Sequence, residues 1–83
     1  MHQLIEHRLK AYLARECSVP ELEAWLLVNL QTILDSKDRT AIDLANKVDA
    51  DLMELSEGLL DEKGFRVRAR RYLREAEAEL RTA

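Results

Sequence analysis

The chain has 83 residues, of which 47% are apolar and 35% charged, and its net charge is -3. Fifteen Leu and ten Ala stand against ten β-branched residues, and Gly and Pro together number three. So few turn formers exclude a sandwich or barrel, the same composition excludes collagen, a disulfide scaffold and disorder, and the acidic balance argues against generic attraction to nucleic acid or an anionic membrane.

The first periodic segment runs from about Gln3 to Glu16. Ile5, Leu9, Tyr12 and Leu13 follow the spacing of an amphipathic helix. Glu6 and Lys10 are expected to pair on its wet side. The helix should stop at Ser18-Val19-Pro20-Glu21, which reads as a capping box with Pro in the first turn.

The second helix extends to about Leu34. Leu22, Trp25, Leu26, Leu27, Val28, Leu30, Ile33 and Leu34 cover more than half of its circumference. Such a helix is central in the fold, or another chain buries one of its faces. Trp25, Leu27 and Val28 are therefore the candidate interface of a symmetric homodimer.

Six polar residues, Asp35 to Thr40, interrupt the pattern, and a loop is expected there, with Thr40 and Asp43 as a second capping box. The third helix then spans about Ala41 to Glu57. Ala41, Ala45, Val48, Leu52, Leu55 and Leu59 alternate in steps of four and three, the register of an antiparallel bundle seam. Asp43, Lys47 and Asp51 read as a charge ladder on the side away from that seam. Gly58 can close this helix, and Asp61 can cap the next.

The fourth helix runs from about Glu62 to Leu80, with Phe65, Ala69, Tyr72, Leu73, Ala76 and Leu80 on one arc. Glu77 and Arg81 are spaced to pair. The stretch from Leu55 through Gly58, Leu59, Leu60, Asp61 and Phe65 to Leu73 resembles the short helical hairpin of the bacterial SHOCT domain. About 20 residues are covered. Gly64 replaces a usual acidic residue, and Arg dominates where Lys is usual. The resemblance implies a tight helical hairpin.

Signatures of chemistry are sparse. There is no Gly-rich phosphate loop, nucleophile elbow or His-Glu-x-x-His. His2 and His7 are five apart, about 140° on a helix, and would not share a metal. Asp49, Asp51 and Glu54 lack the Gly and the twelve-residue frame of a calcium loop. Leu44 to Asp51 resembles the first helix and turn of bacterial helix-turn-helix proteins. The following segment, Asp51 to Glu57, has three acids and no base to meet phosphates. An unbroken helix is the better reading. Cys17 cannot form an internal disulfide, which fits a reducing compartment.

The strongest asymmetry is basic. Residues 64–83 hold six Arg and three Glu, whereas residues 35–63 hold nine acids and four bases. Arg66, Arg70, Arg71 and Arg74 form the candidate partner-binding patch. Basic residues near a helix N-terminus oppose its dipole, so acids of helix three, a partner or phosphate should offset them.

Together these features predict one all-α domain over residues 1–83, a compact bundle of three to four antiparallel helices that dimerises. The expected function is a small cytoplasmic protein–protein interaction module, without catalysis, cofactor, metal or membrane span, whose Arg face meets an acidic partner. The alternatives are a nucleic-acid-associated regulator or antitoxin-like dimer, and an accessory subunit of a larger enzyme.

Overall fold

Four helices form close to the expected segments, the first ending at Leu13 rather than near Glu16, and a computed structural model describes residues 2–82, with side chains placed for residues 2–81. They are α1 (His2–Leu13), α2 (Val19–Asp35), α3 (Arg39–Ser56) and α4 (Glu62–Thr82). Among the described residues there is no strand. The Cα radius of gyration is 12.1 Å, close to the roughly 12 Å of one compact body of this length.

Local hydrogen bonds explain the ends. At α2 the Glu21 N–H donates to Ser18 Oγ (3.3 Å) and the Ser18 N–H donates to Glu21 Oε1 (3.1 Å), which completes the capping box. At α4 the Gly64 N–H donates to Asp61 Oδ1 at 2.7 Å. At α3 the cap is Asp38, not Thr40: its Oδ1 accepts from the Ala41 N–H at 3.2 Å. Lys37 takes a left-handed φ of 62° between α2 and α3, and the break is shorter than the expected six residues: only Ser36, Lys37 and Asp38 lie outside the helices.

The left-handed closures of α1 and α3 share one geometry. Gly58 has φ 76°, its N–H reaches the Leu55 carbonyl, and the Leu59 N–H reaches the Glu54 carbonyl. Arg15 has φ 64°, its N–H reaches the Tyr12 carbonyl, and the Glu16 N–H reaches the Ala11 carbonyl. Both are Schellman closures. Arg instead of Gly in that conformation costs roughly 1–2 kcal/mol.

Two helices, α1 and α3, each touch all three others, whereas α2 and α4 are not neighbours. The apolar richness of α2 therefore does not make it the centre. The stripe of α3 is buried instead, through Ala41, Ala45, Val48 and Leu52. Ile5, Leu9 and Tyr12 of α1 close the core against Leu22, Leu26 and Ile33 of α2 and Phe65, Ala69 and Tyr72 of α4. The Tyr12 and Phe65 rings lie 5.3 Å apart at 45°, a tilted pair of the favourable kind. The seam fades at its end: Leu55 is half-buried, and Leu59, beyond the helix, is exposed.

Candidate functional site

The Arg residues of α4 divide into two groups once the other helices are in place. Arg68 sits at the α3–α4 contact, where its Nη1 donates to Asp51 Oδ1 (3.0 Å) and Glu54 Oε2 (2.7 Å). These hydrogen bonds, to Glu54 first and then Asp51, raise its pKa further. Asp51 is only 4% exposed. It also accepts from the Tyr72 hydroxyl at 2.6 Å. Burial, and then that bond to Asp51, raise the pKa of the phenol. Two of the three acids that resembled a calcium loop are thus spent on Arg68. Asp51 faces α4, not the solvent side expected of a charge ladder. Lys47 turns to Glu75 of α4 at 3.9 Å.

Arg66 and Arg71 are also engaged. Arg66 pairs with Glu62 at 3.0 Å, and its guanidinium lies 4.7 Å from the centre of the Tyr12 ring. Only 14% of its side chain remains exposed. Arg71 reaches Glu75 at 3.4 Å and the Tyr72 ring at 5.5 Å. Arg70 and Arg74 are exposed, and neither has an ion pair among the described residues.

Arg70 and Arg74 belong to a longer row. Lys63, Arg70, Arg74 and Arg81 are separated by seven, four and seven residues, so they share one side of α4. All four are exposed and free of ion pairs among the described residues. At 1.5 Å per residue the row is about 27 Å long. Val67 is the exposed apolar residue within it. Counting Arg along the sequence could not find this row, because Lys63 and Arg81 look unremarkable until Arg66, Arg68 and Arg71 are assigned inward. The expected Glu77–Arg81 pair does not form, since Glu77 meets Lys10 of α1 at 3.6 Å. Glu6, expected to hold Lys10, is instead buried, with Oε1 lacking a partner.

The α2 candidates separate as well. Trp25 is half-buried against the core, with the Arg8 guanidinium 5.5 Å from its ring. Leu27 is 77% and Val28 80% exposed. They point 100° apart on the helix. Leu27 lines a groove between α2 and α3, of about 240 Å³, together with Leu30, Met53, Glu23 and Asp49. Val28 does not line that groove.

The remaining candidates are scattered. His2 Nδ1 and the His2 N–H both lie on Asp38 Oδ2, at 2.8 and 3.0 Å. His7 is exposed, and Cys17 is half-buried at the α1–α2 turn. No group of three His, Cys, Asp or Glu able to hold a metal exists among the described residues. Among the described residues no helix is long and apolar enough to cross a membrane. Residues 44–51 lie within the unbroken α3, which excludes a helix-turn-helix there.

Comparison of the chain with protein-family models, with curated proteins and with solved structures found no match.

Proposed function

We propose that this protein is a small non-catalytic interaction module whose outward α4 face docks an acidic protein partner. The observation that carries this is the row Lys63, Arg70, Arg74 and Arg81, left without an ion pair among the described residues while Arg66, Arg68 and Arg71 are paired. Arg70 and Arg74 are like charges one turn apart, which disfavours the isolated helix by a few tenths of a kcal/mol. An acidic surface relieves that repulsion. The chain as a whole carries -3, which repels a densely charged duplex at longer range more strongly than a short carboxylate-bearing helix. Self-association through Leu27 and Val28 is part of the same proposal, since these are the most exposed large apolar residues.

The test is an anisotropy titration of two labelled probes: a Glu-rich helical peptide and a duplex DNA. Arg70→Gln with Arg74→Gln should abolish peptide binding and leave thermal stability unchanged or slightly raised. Tighter binding to duplex, with a log–log salt slope of roughly -0.9 per phosphate contacted, would replace this reading with the nucleic-acid one. For the dimer, sedimentation equilibrium of the wild type and of Leu27→Gln with Val28→Gln is decisive. A wild-type chain that stays monomeric at high concentration rejects it.

A further inference from the structure

A cleft between the end of α1 and the first turns of α4 gathers cations from two elements. It has a volume of about 470 Å³ and is lined by Arg15, Lys63, Arg66 and Arg70, with Glu62 and Val67. Glu62 is already paired with Arg66, which leaves Arg15, Lys63 and Arg70 uncompensated. None of these three has an ion pair among the described residues. The positive end of the α4 dipole lies at the same place and adds to their field.

Two further observations mark the spot. An adjoining cleft of about 410 Å³ shares Arg15, Glu62 and Arg66, and is also lined by Tyr12 and by Glu16 and Glu21, the latter bonded to Ser18. The Tyr12 hydroxyl is buried and has no hydrogen-bond partner. Burial raises its pKa first, then the Glu62 charge, against the lowering influence of Arg66 and Arg15. The cations therefore flank an unsatisfied donor. Moreover, Arg15 occupies the left-handed position of the α1 closure, where Gly would be the unstrained choice. The chain holds a guanidinium there against its backbone preference.

We propose that this cleft binds a small phosphate-bearing anion with two adjacent phosphoryl groups. Arg15, Lys63 and Arg70 converge on the phosphoryl oxygens, and Arg66, fixed over the Tyr12 ring, forms the wall. A forked guanidinium matches two phosphoryl oxygens at once. Three free cations around one concavity exceed what a single carboxylate neutralises. The site shares Lys63 and Arg70 with the docking face, but Arg15 belongs to the α1 closure and Arg74 lies outside the cleft, so variants at these two separate the readings.

The experiment is isothermal titration calorimetry of the full chain with inorganic pyrophosphate, then with ADP as an organic carrier, against sulfate at matched ionic strength. Saturable binding of one pyrophosphate per chain is expected, weakened about tenfold or more by Arg15→Gln. Arg74→Gln, on the α4 face but outside the cleft, should change the Kd less than about twofold. Arg15→Gly guards against misfolding, since it suits the left-handed turn: it should raise Tm while it weakens binding. ADP binding at least as well as pyrophosphate would indicate an organic carrier, and weaker binding the free anion; both support the site. No saturation by about 10 mM, equal binding of sulfate, or equal losses in Arg15→Gln and Arg74→Gln would overturn it. The Arg74→Gln arm also keeps this failure separate from failure of peptide docking, which depends on Arg74.

Discussion

Removing one oxygen atom tests the α3–α4 joint. In Tyr72→Phe the ring stays where it is, between Lys47 at 5.6 Å and Arg71 at 5.5 Å. Only the hydroxyl that donates to Asp51 Oδ2 at 2.6 Å is lost. That carboxylate oxygen then lies in a residue 4% exposed without the donor it had, while Arg68 still serves Oδ1. A hydrogen bond to a charged group contributes roughly 1.5–3 kcal/mol, and the unsatisfied acceptor adds to its loss. Arg68 softens the effect, so about 1.5–2 kcal/mol is expected. For a domain of this size that lowers Tm by on the order of 10 °C. The assay is urea unfolding at neutral pH, with an unchanged m-value as the sign that only stability moved. A double-mutant cycle with Asp51→Ala should give a coupling above about 1 kcal/mol. A variant within about 0.3 kcal/mol of the wild type would refute the reasoning and mean that water serves Asp51 equally well.

Other predictions follow from single features. Leu52→Ala empties the middle of the α3 stripe, where the residue is buried, and should cost about 2–4 kcal/mol in denaturant unfolding. Gly58→Ala meets no atom within 4 Å but retains φ 76°; a loss of about 1 kcal/mol is expected from backbone strain alone, and no loss would mean that the α3 closure had rearranged. Arg66→Gln should lower stability by about 0.5–1 kcal/mol through its contact with the Tyr12 ring, unlike Arg70→Gln, and thermal melts of the two variants side by side separate them. Burial alone would raise the Asp38 carboxyl, but hydrogen bonds from the His2 side chain, the His2 N–H and the Ala41 N–H outweigh it and hold its pKa at about 2, below the ordinary 3.8. This contribution is complete above pH 3.8 and is lost as pH falls toward 2. His2→Ala should therefore move the acid limb of the stability curve to higher pH, read by urea titrations at successive pH values; an unmoved limb would remove His2 from the account.

What the sequence determined by itself is local. The Ser18–Glu21 box, the turn at Gly58 and the Asp61 cap each close within a few residues, so their residue types suffice to announce them. The period of Ala41, Ala45, Val48 and Leu52 likewise fixes which side of α3 is apolar. Two ends were not legible: Thr40 reads as the α3 cap, but Asp38, held also by His2 from 36 residues away, takes that place, and the α1 closure falls at Arg15, where no Gly announces it.

The tertiary structure decided the partners. Lys10, Lys47, Asp51 and Glu77 all have plausible neighbours one turn away, yet each meets a residue of another helix. At Asp51 the cross-helix pair is desolvated, its side chain only 5% exposed, which strengthens it over a solvent-exposed pair on one helix; the Lys10–Glu77 and Lys47–Glu75 pairs stay exposed. The same packing set α1 and α3 against all the other helices and left the more apolar α2 without contact to α4. It also sorted the cations of α4 into those that hold the fold and the four that face outward. Sequence spacing gives a side chain its direction on its own helix, but only the positions of the other helices determine what it meets there.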